Sequence, residues 1–173
     1  MMPVLAYVGL GSNLGHPRRR LARALHALSR LPRSRLIAAS GNYASAPVDA
    51  PGPQPDYVNA VAAVATGLNP GAMLRQLRVI ERRLGRRRAP GQPRNAPRLL
   101  DLDLLLYGGV RASRAELMLP HPRMHERAFV LRPLLDIAPA ATIPGRGVAR
   151  FWLPRTRGQR IARTRRHIWR RAG

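Results

Sequence analysis

The sequence predicts an α+β domain, a sheet of short strands with helices packed on it. Three observations lead there. Apolar runs rich in β-branched and aromatic residues, at Val4–Leu10, Tyr57–Thr66 and Leu99–Tyr107, have strand length and are bounded by turn residues. Two intervening segments, 17–31 and Asn69–Gly85, space their apolar residues as a helix does. The chain has 173 residues, 45% hydrophobic and 23% charged, which is ordinary globular composition for one domain. A domain of that size hides roughly 70% of the surface its unfolded chain exposes.

Val4 to Leu10 reads as a buried strand, and Gly9-Leu10-Gly11-Ser12-Asn13 as the tight turn that ends it. That glycine cluster resembles a dinucleotide fingerprint but fails it, because position 14 is leucine and no acidic residue follows about 20 positions on. Asn13 remains a candidate to line a pocket. Pro17 suits a first helical turn, and Leu21, Leu25 and Leu28 give 17–31 an apolar stripe that Pro32 ends. Leu36 to Tyr43 reads as a strand. Residues 46–56 hold prolines at 47, 51, 53 and 55 and form a loop unable to join a ladder. In Tyr57–Thr66, Tyr57, Asn59, Val61 and Ala63 share one face, and the opposite face is wholly apolar.

Asn69-Pro70 is an N-cap followed by proline at N1. Met73, Leu77, Ile80 and Leu84 form the stripe of that helix, with Gly85 as its C-cap. Arg86–Pro97, rich in arginine and proline, reads as a long loop of the kind that is usually functional or disordered. The strand Leu99–Tyr107 ends in the turn Gly108-Gly109, Glu116–Leu119 reads as a short edge strand, and 125–137 as a helix interrupted by Pro133. No acidic residue follows Asp136, and from Arg146 the chain is dense in arginine with Trp152 and Trp169 interleaved. The expected organisation is a domain over 1–145 and a basic extension, a tail or weakly ordered element, over 146–173.

Composition excludes several chemistries. The sequence has no cysteine, hence no disulfide, thiolate zinc site, iron–sulfur cluster or cysteine nucleophile. It has no lysine, so Schiff-base chemistry and a Walker A loop are absent too. No apolar run approaches the roughly 20 residues of a membrane helix, and Met1–Gly11 does not look like a secretory signal, so a cytoplasmic protein without a membrane partner is expected. Thirty-one basic residues against eight acidic ones give a formal net charge of +23. A coding bias would explain arginine in place of lysine, though not the scarcity of carboxylates. The charge points to a polyanion, either nucleic acid or a phosphate-rich small molecule.

The sharpest chemical motif is Leu-Asp-Leu-Asp-Leu at 100–104. On a strand Asp101 and Asp103 share a face, roughly 6.5–7 Å apart, while the leucines face the core. Paired carboxylates repel each other and need a cation, a proton or water. Mg²⁺ answers this well, because it prefers oxygen ligands and completes its shell with water or phosphate. A solvated strand face, or salt bridges to nearby arginines, answers it equally. Arg86, Arg88 and Arg98 flank this strand and could fork onto phosphates, or simply be solvated. Pro120-His121-Pro122-Arg123-Met124-His125-Glu126-Arg127-Ala128-Phe129 gathers histidines, arginines and an aromatic without zinc spacing. It reads as a turn presenting His121 or as a plain capping turn.

Taken in order, these motifs resemble the 6-hydroxymethyl-7,8-dihydropterin pyrophosphokinase family of folate biosynthesis. The segments that carry the resemblance are Tyr7-Val8-Gly9-Leu10-Gly11-Ser12-Asn13, Tyr43-Ala44-Ser45-Ala46-Pro47, Gln54-Pro55-Asp56-Tyr57-Val58-Asn59, Ile80-Glu81 to Gly85-Arg86, Ala96-Pro97-Arg98 with Leu100-Asp101-Leu102-Asp103, and Pro120-His121 to Arg127-Ala128-Phe129. The resemblance covers about residues 4–145. It implies a ferredoxin-like antiparallel sheet with helices packed on it, ATP as co-substrate and two Mg²⁺ ions held by Asp101 and Asp103. It also implies that Arg86 and Arg98 reach the phosphates, and that Glu81, Arg88, His121 and Arg127 contact the nucleotide. Tyr57 and Phe129 would sandwich the pterin ring, Asn59 would hydrogen-bond its edge, and Ser45 and Val48 would add contacts. Asn95 stands where many members have tryptophan, and Glu116 where some have a nucleotide-contacting arginine. A monomer is expected. The competing class is a nucleic-acid-binding protein, and within the enzyme reading nucleic acid would be bound only through the basic tail.

Overall fold

The computed structural model describes residues 2–50, 52–85 and 99–164. Arg86, Arg88, Asn95, Arg98 and the loop expected around them lie outside the described residues, as does Trp169.

The centre of the fold is a strand buried on both faces. β4 (Tyr57–Thr66) pairs along its whole length with β1 (Val4–Ser12), from Val4 opposite Thr66 to Ser12 opposite Val58. Its other edge is shared: β2 (Ser34–Ala39) takes the Thr66 end and β3 (Tyr43–Ser45) the Tyr57 end. β5 (Asp101–Tyr107) flanks β1, and a last short strand, β10 (Ile161–Arg163), flanks β3. Every pairing is antiparallel, so the chain has the expected α+β fold on an antiparallel sheet.

Two helices cover one sheet face. α1 (Pro17–Ser29) and α2 (Pro70–Arg83) send Leu21, Leu25, Leu28, Met73, Leu77 and Ile80 against Val8, Leu10, Ala60, Ala62, Leu102 and Leu104. Each such side chain stabilises the fold by about 1.5–3 kcal/mol relative to exposure. α2 begins as the sequence requires: the Asn69 side chain accepts the Ala72 amide at 2.8 Å, and Pro70 occupies the first turn. α3 (Ala128–Ile137) packs on the opposite face over Val61, Leu105 and Leu106. It covers that face only in part, and the uncovered part holds the site.

Several expectations change. The glycine segment read as a turn belongs to β1 as far as Ser12. The strand expected over 36–43 is two strands, separated at Ser40–Asn42, where the chain moves from one half of β4 to the other. Helix 17–31 ends at Ser29, where the Arg30 amide donates to the Ala27 carbonyl and the Leu31 amide to the Leu28 carbonyl. Leu117–Leu119 (β7) pairs with Ala112–Arg114 (β6) in a two-stranded hairpin that packs beside β5 without joining the main sheet's ladder. A 3₁₀ turn at Met124–Glu126 precedes α3, and Pro133 sits within α3, where it removes the amide that would bond to the Phe129 carbonyl.

The described part of the basic extension, 146–164, folds against the rest of the chain. After the short pair β8 (Thr142–Ile143) and β9 (Gly147–Val148), a 3₁₀ helix at Ala149–Thr156 lays Ala149, Trp152 and Leu153 on the α3 core. β10 then joins the main sheet, Ile161 opposite Ser45 and Arg163 opposite Tyr43. Among the described residues no helix is long and apolar enough to cross a membrane.

Candidate active site

The floor of the site is set by strand alternation. Gly9 lies opposite Asp103 and Gly11 opposite Asp101 across the β1–β5 pair, and on the other side Gly11 lies opposite Asn59 of β4. These residues point to the α3 side of the sheet, where the two glycines contribute no side chain. The result is an open cavity of about 300 Å³ with both aspartates at one edge. A Cβ at Gly11 would come 3.3 Å from the Asn59 side-chain oxygen, and one at Gly9 would come 3.4 Å from the Leu105 side chain.

The walls come from four segments. Ser45 and Val48 line the cavity from β3 and the proline-rich loop, Tyr57 and Asn59 from β4, His121 and Arg127 from the turn after β7, and Phe129 from the first turn of α3. Asn59 is buried, and its Nδ2 donates to Ser45 Oγ at 2.8 Å and more weakly to the Tyr43 carbonyl at 3.4 Å. Because a carbonyl only accepts, this network fixes the amide so that its oxygen faces the space above Gly11.

The proline-rich loop is held by polar contacts. Asn13 Nδ2 donates to Gln54 Oε1 at 2.9 Å and to the Pro55 carbonyl at 3.1 Å, and the Tyr57 hydroxyl donates to the same Gln54 oxygen at 3.1 Å. Asp56 accepts both terminal nitrogens of Arg160, at 2.6 and 2.8 Å, which lowers its pKa from the ordinary carboxylate value. Asp49 accepts Arg123 at 2.7 Å and so straps the loop to the His121 turn across the cavity rim.

His121 is held in its neutral form. Burial, reinforced by the charge of Arg127, brings its pKa down to about 4, with Asp101 opposing. Its Nδ1 accepts the Arg123 amide at 3.3 Å, which leaves the proton on Nε2, 4.0 Å from Asp103 Oδ2. At neutral pH this contact is therefore not a charged pair. The Arg127 guanidinium lies 5.5 Å from the Phe129 ring centroid, a cation–π distance that also braces the ring.

Glu81 stands apart from this cavity. It is buried on α2 behind β5, and its Oε1 accepts the Leu102 amide at 2.7 Å. Nine of the thirteen residues expected at the site line one cavity: Ser45, Val48, Tyr57, Asn59, Asp101, Asp103, His121, Arg127 and Phe129. Arg86, Arg88 and Arg98 are outside the described residues, and Glu81 sits behind the strand.

Sequence reasoning missed Gly9 and Gly11 as the floor, Gln54 as the pin of the loop, and Arg123 as its strap. The glycines carried a signal, since both occupy the parity of β1 that faces Asp101 and Asp103.

Asp101 and Asp103 offer hard oxygen donors on one strand face. Among the described residues no group of three or more His, Asp or Glu could enclose a metal. A pair of carboxylates at an open cavity leaves the other coordination positions to water or ligand oxygen, which suits Mg²⁺ and no fully protein-enclosed ion.

Residues 7–139 match the model of the 7,8-dihydro-6-hydroxymethylpterin-pyrophosphokinase (HPPK) family. The chain is 47% identical over 138 residues to the 2-amino-4-hydroxy-6-hydroxymethyldihydropteridine pyrophosphokinase of Pseudomonas aeruginosa, covering 80% of this chain and 83% of that protein. The protein of the same name from Haemophilus influenzae is 44% identical over 141 residues, covering 82% and 86% respectively. Among solved structures, wild-type HPPK-DHPS of Plasmodium falciparum superposes with a TM-score of 0.67 at 14% identity, over 88% of this chain and 44% of that one, a likeness of fold. With the family's pattern spanning most of its length and relatives matched over more than four-fifths of their own, the chain belongs to the 7,8-dihydro-6-hydroxymethylpterin-pyrophosphokinase family.

Proposed function

We propose that the protein transfers the pyrophosphoryl group of ATP to the hydroxymethyl group of 6-hydroxymethyl-7,8-dihydropterin. The observation that carries this reading is one cavity in which a carboxylate pair faces an aromatic and amide-lined slot, in a chain of this family. The hydroxymethyl oxygen attacks the β-phosphorus of ATP. The bond from that phosphorus to the oxygen bridging to the α-phosphorus breaks, AMP departs with that oxygen, and the hydroxyl proton leaves to solvent.

Asp101 and Asp103 would hold Mg²⁺, two ions being the expectation, and a bound ion would neutralise charge on the phosphate oxygens. The chain's own groups do the positioning. Tyr57 and Phe129 bracket a flat ring, and offset stacking on such faces suits a pterin. The Asn59 oxygen, turned into the cavity by the Ser45 contact, accepts from ring N–H groups. Neutral His121 donates from Nε2, and Arg127 and Arg123 add positive charge beside the carboxylates. Arg86 and Arg98 would reach the phosphates, and Arg88 and Glu81 would serve the nucleotide side. No covalent protein intermediate is needed, so rate enhancement rests on positioning and charge neutralisation.

The test is AMP release from ATP and Mg²⁺ with and without the pterin. Pterin-dependent AMP from the wild type, lost in Asp101→Asn/Asp103→Asn with the fold intact, is the expected outcome. No AMP from well-folded wild-type protein would overturn the reading.

A further inference from the structure

The carboxylates of this chain are segregated. Asp49, Asp56, Asp101, Asp103, Glu126 and Asp136 belong to the α3 side of the sheet or to the segments around the cavity. On α1 and α2 the one acidic residue is Glu81, which is buried and accepts a backbone amide. The solvent side of this helical layer is arginine. Arg18, Arg19, Arg23 and Arg30 are exposed along and just after α1, and Arg75 and Arg82 along α2.

The two helices lie side by side. Arg20 donates to the Leu84 carbonyl at one end, and the Gly67 amide donates to the Arg33 carbonyl at the other. They therefore run antiparallel on the same core, and their exposed arginines form one sheet of charge. The 13 residues of α1 span about 20 Å at 1.5 Å per residue. Glu116 is the carboxylate that reaches this layer, a loose 3.8 Å contact to Arg78 from the β6–β7 hairpin.

The basic C-terminal segment is a poorer candidate over its described part, because four of its six arginines there are engaged within the protein. Arg160 pairs with Asp56 and Arg163 with Asp136, while Arg150 and Arg155 sit over Phe151 and Trp152. Arg18, Arg19, Arg23, Arg30, Arg75 and Arg82 of the helical layer, by contrast, are exposed and make no ion pair among the described residues.

We propose that the α1/α2 face binds the phosphate backbone of a nucleic-acid duplex, without reading its sequence. Guanidinium forks match phosphate oxygens and remain charged at every physiological pH. A helical layer with no Phe, Tyr or Trp side chain and a single exposed imidazole, His26, gives little means of stacking on bases, so the contact is chiefly electrostatic. The face lies on the opposite side of the sheet from the cavity, so it can be occupied while the cavity works.

The experiment is fluorescence anisotropy with a labelled 20-base-pair mixed-sequence DNA duplex, titrated at several salt concentrations. Neutralising three or four phosphates predicts a log–log slope of affinity against salt of about −3. Arg19→Gln/Arg23→Gln/Arg30→Gln should weaken binding at least tenfold and flatten the slope by about 2–3, with circular dichroism and melting unchanged. Gln is nearly as good a helix former as Arg, so the variant retains α1. Arg150→Gln/Arg155→Gln serves as the control and should bind as the wild type does. Three outcomes overturn the proposal: no binding at 50 mM salt, loss in the control set with the α1 variant unaffected, or binding to vesicles of 30% phosphatidylglycerol without binding to the duplex.

Discussion

Glu81 holds the strand that presents the aspartates. Its carboxylate accepts the amide of Leu102, the residue between Asp101 and Asp103, from the edge of β5 that no strand among the described residues covers. A buried amide there would otherwise lack a partner. Glu81→Ala should therefore cost about 1–3 kcal/mol of stability and weaken Mg²⁺-dependent ATP binding, because the carboxylates lose their register. Glu81→Gln keeps an acceptor and should restore most of the melting temperature. Thermal unfolding and titration calorimetry of both variants check this.

Asp103→Asn should abolish turnover while leaving the melting temperature within a few degrees of wild type. The side chain faces the cavity and is about two-fifths exposed, so it supports little of the core. AMP formation measured against Mg²⁺ concentration distinguishes loss of the ion from loss of the fold. Near-normal activity would remove the aspartate from the mechanism.

Gly11→Ala adds one methyl group to the floor, 3.3 Å from the Asn59 oxygen. That contact is tighter than ordinary packing, and the amide must move by a few tenths of an ångström or turn away. Pterin affinity should fall about tenfold or more, and ATP affinity should hold. Calorimetry with each ligand alone separates the two. An unchanged pterin affinity would mean that the ring does not sit above this floor.

Phe129→Ala should likewise weaken pterin binding far more than ATP binding, since it removes one face of the slot. Aromatic stacking is worth roughly 0.5–1.5 kcal/mol beyond the area buried. Equal losses for both ligands would refute the stacking assignment.

The Asp56–Arg160 pair gives a pH signature. Arg160 lowers the Asp56 pKa in the folded state relative to the ordinary value of 3.8. The pair's contribution is therefore complete above the unfolded-state pKa and is lost as pH falls through the lowered folded value. Both side chains are largely exposed, so the effect on stability is small. Carboxyl-detected NMR should find Asp56 titrating below 3.8, and Arg160→Gln should move it upward.

Where the sequence was legible, local chemistry decided the structure. Asn69-Pro70 fixes the start of α2 whatever packs on it, and the alternation in Tyr57–Thr66 already placed Tyr57 and Asn59 on the cavity face. The paired aspartates were legible for the same reason. Gly9 and Gly11 were misread because glycine normally marks turns. Here its use is to leave space between cross-strand neighbours, and only the pairing with β5 reveals that. The packing of 149–156 on α3 was not legible, because the charge of this segment outweighs Ala149, Trp152 and Leu153, whose core partners on α3 are distant in sequence.

The return of the chain to the sheet at β10 has a consequence beyond the site. A strand whose outer amides and carbonyls are unpaired is a template on which another chain can add, and β10 covers that side of β3. A chain shortened before Gln159 would keep most of both cores and yet turn the Tyr43–Ser45 edge outward, next to a binding slot lined by Ser45. Such a fragment should self-associate through that edge, and a short peptide with the sequence of residues 159–164 should suppress the association by taking the vacant place.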